Sequence, residues 1–114
     1  MPSQIYVNPS CSKCRTALSL LEEHGVQADT ILYLDEPPSV ADLERLMKSL
    51  AIGDPRLMMR TGEPLFAELA LDDVAGDALL EAIARHAVLL ERPNFVVADR
   101  AVIARPPERV LELL

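Results

Sequence analysis

The fold class is decided by residues 5–14, which read Ile5-Tyr6-Val7-Asn8-Pro9-Ser10-Cys11-Ser12-Lys13-Cys14. A short apolar strand over residues 5–7 gives way, through the turn residues Asn8-Pro9-Ser10, to an amphipathic helix. The thiol of Cys11 is therefore expected at a helix N-terminus, where free backbone N–H groups and the helix dipole favour anions. We predict that Cys11 is held as a thiolate and that an oxyanion binds beside it.

The residues after this stretch predict a β-α-β unit. The helix is predicted over residues 12–24, with Gly25 as its stop, and a second strand over residues 30–34. Because the helix forms the crossover between the two strands, we expect these strands to be parallel.

Helices are predicted through about residues 39–90. Ser39 is the expected cap of the first of them, with Asp42 at the capping-box position and Gly53 as the stop. Asp54-Pro55 predicts a further short helix, because proline is favoured in a first helical turn. The last helix of this region is predicted to bury a purely apolar face, formed by Leu79, Leu80 and Ile83.

The C-terminal part predicts a β-hairpin over residues 94–98 and 101–104, with Asp99-Arg100 as its turn. Pro106-Pro107 opens a last helix that runs to residue 114. The order of elements predicts a single α/β domain over residues 1–114. Its mixed sheet has about four strands, and a helical insertion occupies about residues 39–90.

Composition disfavours two classes of function. The 114-residue chain is 50% hydrophobic, has a formal net charge of −7 and contains no apolar run of 18 residues. Such acidity disfavours nucleic-acid binding, since phosphate contacts need clustered basic side chains, and the missing run disfavours a membrane span. Nine of the eleven basic residues are arginines, which suit bidentate recognition of anions better than lysines do.

The two cysteines favour redox chemistry over a structural role. They stand three positions apart, in a chain whose start has no apolar stretch of signal-peptide length. We expect a cytoplasmic, reducing environment, in which such a pair is catalytic or redox-sensing. A metal site is not expected, because one Cys-x-x-Cys lacks a second pair, and His24 and His86 have no ligand-like spacing to it. No bound cofactor is expected either.

Five ordered segments give the chain a resemblance that spans nearly its whole length. They read Asn8-Pro9-Ser10-Cys11, Ile31-Leu32-Tyr33-Leu34 with Pro37-Pro38, Leu57-Met58-Met59-Arg60 ahead of Glu63-Pro64, Arg92-Pro93, and Arg105-Pro106. On these segments the chain resembles the small arsenate reductases of the glutaredoxin-coupled kind, a thioredoxin-fold family with a helical insertion. The resemblance implies a thioredoxin-like fold here too.

The resemblance also implies an activity, the reduction of arsenate to arsenite by thiols. It assigns Cys11 as the nucleophile that forms a cysteine–arsenate adduct, and Arg60, Arg92 and Arg105 as the residues that hold the oxyanion. Glutathione is the implied co-substrate, and glutaredoxin or thioredoxin the implied protein partner. The arginines suit the chemistry, because a divalent arsenate and a thiolate repel each other unless cationic donors neutralise the anion.

The chain departs from the family's common pattern at two positions near the nucleophile. Val7 stands where histidine is common, and Cys14 stands where serine is common. Cys14 is therefore a candidate resolving thiol, which would open the adduct and leave a Cys11–Cys14 disulfide. Two further residues are candidates for supporting roles: Pro93 for a cis peptide bond opposite the cysteine, and Asn8 for hydrogen bonds that orient the Cys11 loop.

Three alternatives remain open. A general thiol–disulfide oxidoreductase would need only Cys11 and Cys14. A non-enzymatic redox-sensing regulator of the Spx type would share the fold and the Cys-x-x-Cys, but such regulators lack a basic residue matching Arg60 and the Arg105-Pro106-Pro107 ending. In the third alternative the natural substrate is another oxyanion, because an arginine clamp recognises charge and shape rather than the central atom.

Overall fold

Four strands form one mixed sheet in the computed structural model, which describes residues 3–114. They are β1 (Ser3–Val7), β2 (Asp29–Leu32), β3 (Asn94–Val97) and β4 (Arg100–Ile103), and their order across the sheet is β2-β1-β3-β4. β1 pairs with β2 in parallel, while β1 with β3 and β3 with β4 are antiparallel pairs. The predicted mixed sheet with a parallel first pair is confirmed.

Helices fill the rest of the fold. The α-helices are α1 (Ser12–Glu23), α2 (Val40–Leu50), α3 (Pro64–Glu68) and α4 (Gly76–Arg85). Short 3₁₀ helices cover Pro55–Met58, Leu71–Asp73, Ala87–Leu89 and Pro107–Leu113. The last of these takes the place of the predicted C-terminal helix. Between β2 and β3 the described chain is helical, apart from loops and one isolated bridge that pairs Met59 with Leu90.

A hydrophobic core covers each face of the sheet. β1 lies between β2 and β3, and its successive side chains alternate between the two cores. Ile5 and Val7 belong to the core on the α1 side, which includes Cys14, Ala17 and Leu21. Tyr6 belongs to the core on the other face, whose members include apolar residues of α2 and α4, namely Leu43, Leu46, Leu79, Leu80 and Ile83. The predicted buried face of α4 is confirmed.

The start of α2 is as predicted, but its end is not. The Ser39 side chain accepts a hydrogen bond from the backbone N–H of Asp42, and the Asp42 side chain accepts one from the N–H of Ser39. The helix ends at Leu50 rather than beside Gly53, because Ala51 takes the left-handed conformation with φ of 57°. The residue in this conformation at a helix end is usually glycine, so an alanine there does not indicate in the sequence that the helix ends.

Two other boundaries differ from the prediction. β2 ends at Leu32 instead of residue 34, because its carbonyl accepts hydrogen bonds from the N–H groups of Asp35 and Glu36 and closes a turn. The hairpin turn is Ala98-Asp99 rather than Asp99-Arg100. Arg100 already pairs with Val97, and Ala98 supplies the positive φ of the turn, 55°.

Candidate active site

The Cys11 loop is held by hydrogen bonds to Asn8, at the carboxyl end of β1. The N–H of Cys11 donates to the carbonyl oxygen of Asn8 at 2.9 Å, and the N–H of Ser10 donates to Asn8 Oδ1 at 3.0 Å. The guanidinium of Arg15 donates to the carbonyl of Pro9 at 3.0 Å and ties the loop to α1. The loop therefore sets Cys11, which is partly exposed, at the N-cap of α1.

The pKa of Cys11 is lowered to about 7, in the predicted direction. Burial, the largest influence, favours the neutral thiol, but four donors outweigh it. They are the backbone N–H of Cys14, the guanidinium of Arg92, the thiol of Cys14 and the backbone N–H of Lys13. At neutral pH roughly half of the Cys11 side chains are therefore thiolates.

Cys14 lies one turn into α1, and its properties are the opposite of those of Cys11. Its side chain is fully buried. Burial raises the pKa of Cys14 to about 11, together with the hydrogen bond to Cys11 and the negative charge there, although the backbone of Asn8 and the charge of Arg92 partly offset this. Both cysteines are reduced. The site thus pairs one thiolate with one neutral thiol that donates to it.

Arg92 approaches Cys11 from the loop before β3. Burial lowers the pKa of this guanidinium, but its hydrogen bond to Cys11, with the charges of Tyr33, Cys11 and Cys14, raises the value above the ordinary one. Within residues 3–114 its Nε is buried without a partner. The Arg92–Pro93 peptide bond is cis, as expected for Pro93, and the Arg105–Pro106 bond, for which no such expectation was made, is cis as well.

The backbone of residues 89–92 brings the other two arginines to the same place. The N–H of Arg60 donates to the carbonyl of Leu89 at 2.7 Å, and the N–H of Glu91 donates to the carbonyl of Met58 at 2.8 Å. Arg105 Nη1 donates to the carbonyl of Arg92 at 2.9 Å. Of the three predicted arginines, Arg92 interacts with Cys11 directly, while Arg60 and Arg105 are bonded to the segment that carries Arg92.

Two glutamates pair with these arginines. Arg60 Nη1 lies 3.1 Å from Glu63 Oε2, and Arg105 Nη1 lies 3.7 Å from Glu91 Oε1. Neither glutamate was predicted as a site residue. The only signal in the sequence is their position, three residues after Arg60 and directly before Arg92.

Tyr33 is a further residue near the site, and sequence reasoning assigned it no role. It is 1% exposed and directly follows β2. Burial raises its pKa to about 12, and the charges of Arg92, Cys14, Arg60 and Cys11 act on it in that order of strength. The available signal was topological, because the carboxyl ends of parallel strands share one sheet edge and β2 is parallel to β1.

Two features are absent from residues 3–114. No group of three or more histidine, cysteine, aspartate or glutamate side chains is arranged to hold a metal ion. No helix there is both long enough and apolar enough to cross a membrane.

The sheet order and the site define the class of the protein: a thioredoxin-like fold with a reactive cysteine at the N-terminus of its first helix and arginines beside it. The chain belongs to the ArsC family, whose model matches residues 6–113.

Relatives agree with this assignment over nearly the whole chain. An arsenate reductase of Haemophilus influenzae is 47% identical over 112 residues, which cover 96% of this chain and 97% of the relative. An arsenate reductase of Neisseria meningitidis serogroup A is 44% identical over 113 residues, covering 97% of each chain. The solved structure of an arsenate reductase from Vibrio cholerae superposes with a TM-score of 0.96, at 46% identity, and covers 100% of this chain and 98% of that one.

Proposed function

We propose that this protein reduces arsenate to arsenite, with Cys11 as the nucleophile. The observation that carries the proposal is the partly exposed Cys11 thiol, with a pKa of about 7, beside the guanidinium of Arg92. A thiolate at neutral pH is the nucleophile that the reaction needs, and an adjacent guanidinium attracts a divalent oxyanion. The activity named for the relatives from Haemophilus influenzae and Neisseria meningitidis supports the choice of arsenate.

The first proposed step forms a covalent adduct. The Cys11 thiolate attacks the arsenic atom of arsenate, an As–O bond breaks, and the departing oxygen leaves as water after taking up protons. Arg60, Arg92 and Arg105 are proposed to hold the remaining oxygens and to offset their charge. Asn8 and Pro93 are proposed to support this arrangement, Asn8 by fixing the loop in front of Cys11.

The second proposed step releases arsenite. A thiol attacks the sulfur of Cys11, an S–S bond forms, and the S–As bond breaks. The electron pair of the S–As bond stays on arsenic, which is thereby reduced from As(V) to As(III), while the two sulfurs are oxidised to a disulfide. The electrons therefore come from the two thiols.

Cys14 is the proposed resolving thiol for this second step. Cys14 lies three residues after Cys11 at the same helix start, its thiol interacts with the Cys11 sulfur, and an intramolecular attack has a high effective concentration. In the free protein the charge of Cys11 helps to keep Cys14 protonated. Once the Cys11 sulfur is bonded to arsenic, it no longer carries this charge, and Cys14 loses that obstacle to ionisation.

Glutathione is the proposed co-substrate, and glutaredoxin or thioredoxin the proposed protein reductant, in the cytoplasm and without a bound cofactor. Either reductant would return the Cys11–Cys14 disulfide, or a Cys11–glutathione disulfide, to thiols. Residues 1–114 are proposed to act as one catalytic domain. Its helical region, at about residues 39–90, contributes Arg60 to the proposed arginine clamp, which consists of Arg60, Arg92 and Arg105.

Steady-state turnover of arsenate tests this function. The protein is assayed with glutathione and glutaredoxin, and in parallel with thioredoxin, while arsenite release is measured. We expect turnover with at least one reductant, and none by the Cys11→Ser variant. Reduction of a model disulfide without any arsenate turnover would contradict the proposal, and would favour the general thiol–disulfide oxidoreductase that the contact between the two thiols also allows.

A further inference from the structure

Tyr33 lies at the end of the sheet where the Cys11 loop begins, after the carboxyl ends of the parallel strands β1 and β2. Val7 and Leu32 are the last paired residues of β1 and β2, so Tyr33 and Asn8 each follow directly after them. Asn8 in turn accepts the hydrogen bonds that position Ser10 and Cys11. The backbone of Tyr33 is therefore a neighbour of the Cys11 loop in space, although the two are far apart in the chain.

Tyr33 shares a buried cluster with residues that adjoin the arginines in the chain. It belongs to the buried cluster that contains Met58, Met59 and Leu90. These three residues directly precede Arg60 and Glu91-Arg92 in the chain, and Met59 pairs with Leu90. The charges of Cys11, Cys14, Arg60 and Arg92 all act on the Tyr33 hydroxyl. Tyr33 therefore follows β2 at the end of the sheet where the Cys11 loop follows β1, within the electrostatic influence of the nucleophile and of two of the arginines.

The Tyr33 hydroxyl is available as a donor. Arg105 and Asn94 near the site donate to backbone carbonyls, whereas within residues 3–114 the Tyr33 side chain makes no hydrogen bond. With its pKa at about 12 the phenol keeps its proton throughout the neutral range. Unlike the guanidinium of Arg60, which pairs with Glu63, this neutral donor has no carboxylate partner among residues 3–114 to exchange for a ligand.

We propose that the Tyr33 hydroxyl donates a hydrogen bond to an oxygen of the oxyanion bound between Cys11 and the arginines. The inference rests on the proposed oxyanion chemistry at Cys11 and adds a contact that the arginines alone do not provide. A buried donor facing an anion strengthens its binding more than a hydrogen bond between neutral groups does.

The chain offers an unusually direct test, because it has two tyrosines and no tryptophan. Tyr6→Phe leaves Tyr33 as the sole tyrosine, and Tyr33→Phe leaves Tyr6. Tyr6 is a matched control: it is 8% exposed, it lies in the same cluster, and the charges that act on it are those of Asp42 and Arg45 rather than those of the site. Inorganic phosphate serves as the unreactive oxyanion.

Phosphate should shift the near-ultraviolet absorption of the Tyr6→Phe protein and leave that of the Tyr33→Phe protein unchanged. Calorimetry should show phosphate binding about tenfold weaker in Tyr33→Phe than in the parent, and unchanged in Tyr6→Phe. The rate of Cys11 alkylation should be the same in all three proteins, since the thiolate does not depend on this hydroxyl.

Phosphate binding that leaves Tyr33 absorption unaffected, or equal affinities of Tyr33→Phe and the parent, would overturn the inference, as would a parent that binds no phosphate. Should Tyr33→Phe fail to fold, the absorption of Tyr6→Phe decides alone. A Tyr33 signal without arsenate turnover would refute the proposed function and uphold the hydroxyl contact. Normal arsenate turnover by Tyr33→Phe would instead uphold the proposed function and refute the hydroxyl contact.

Discussion

The pKa values of Cys11 and Cys14 are shifted in opposite directions, although the two residues are only three positions apart. Cys11 precedes α1 and faces its free N–H groups, whereas Cys14 points into the core on the α1 side of the sheet. The pKa of Cys11 is accordingly lowered to about 7, and that of Cys14 is raised to about 11. The same residue type thus takes two different acidities according to its surroundings, which suits the proposed roles of nucleophile and resolving thiol.

The pH dependence of Cys11 alkylation tests this assignment at the residue scale. The rate should fall as the pH drops through about 7, because the thiolate is the reactive form. Arg92→Ala removes a donor to the thiolate and should move the midpoint toward the roughly 8.5 of a free thiol. Arg45→Ala, on the exposed side of α2, is the control and should leave the midpoint in place. A parent midpoint at or above the free-thiol value would refute the assignment.

Cys14 is tested by a single turnover without glutathione. The parent should release arsenite and become lighter by two hydrogens, with both thiols resistant to alkylation, because Cys14 attacks Cys11 within the same helix start. Cys14→Ser should stop at the adduct and require glutathione to continue. Intact-mass spectrometry reads both results. If the parent keeps two free thiols after releasing arsenite, Cys14 is a packing residue.

At the scale of elements, the boundaries that were predicted correctly have a sequence pattern within a few residues, and the boundaries that were misplaced have none. Residues 5–14, the capping box of Ser39 and Asp42, and the apolar stripe of α4 each carry their own signal within a few positions. The left-handed alanines Ala51 and Ala98 carry none, so a helix end and a hairpin turn were misplaced. The Ala51 conformation comes with hydrogen bonds from the N–H groups of Ala51 and Ile52 to the helix carbonyls of Lys48 and Met47, and Ala98 stands in the turn that the Val97–Arg100 pair closes.

The sequence predicted which residues the structure brings together around Cys11, but not how they pair. The resemblance named Cys11 and the three arginines, while the partners Glu63 and Glu91 depend on the pairing of residues 58–60 with residues 89–91. That pairing joins segments about thirty positions apart through only two backbone hydrogen bonds, which together form the Met59–Leu90 bridge. The sequence does not predict such a contact, because each paired segment is only three residues long and too short for a hydrophobic periodicity to be recognised.

These ion pairs predict the effect of removing either glutamate. Glu63→Gln or Glu91→Gln should tighten phosphate binding by up to about fivefold, because an entering oxyanion would no longer displace a competing carboxylate. Glu112→Gln is the matched control, since Glu112 pairs with Arg109 at 3.0 Å with the same three-residue spacing as Glu63 and Arg60. Calorimetry measures the affinities. Weaker binding in the two site variants would instead mean that the glutamates hold the arginines in their binding positions.

At the scale of the whole molecule, the arginine clamp opposes the charge of the protein that carries it. With a net charge of −7, the chain as a whole repels a divalent oxyanion. We therefore expect the attraction of an oxyanion to come from Arg60, Arg92 and Arg105, which lie in the helical region, the loop before β3 and the segment after β4. The fold concentrates three of the nine arginines of the chain at one backbone segment.

This concentration separates the proposed reductase from the general oxidoreductase. Arg60→Ala, Arg92→Ala or Arg105→Ala should each lower kcat/KM for arsenate by about one to two decades, the loss expected from removing one charge-assisted contact of roughly 1.5–3 kcal/mol. Formation of the Cys11–Cys14 disulfide by a neutral oxidant should change little in the Arg60 and Arg105 variants, since neither arginine is among the donors that lower the pKa of Cys11. Arg45→Ala again controls for the loss of one positive charge. Three variants that reduce arsenate as fast as the parent would leave the clamp without a function, and the two thiols alone would then account for the chemistry.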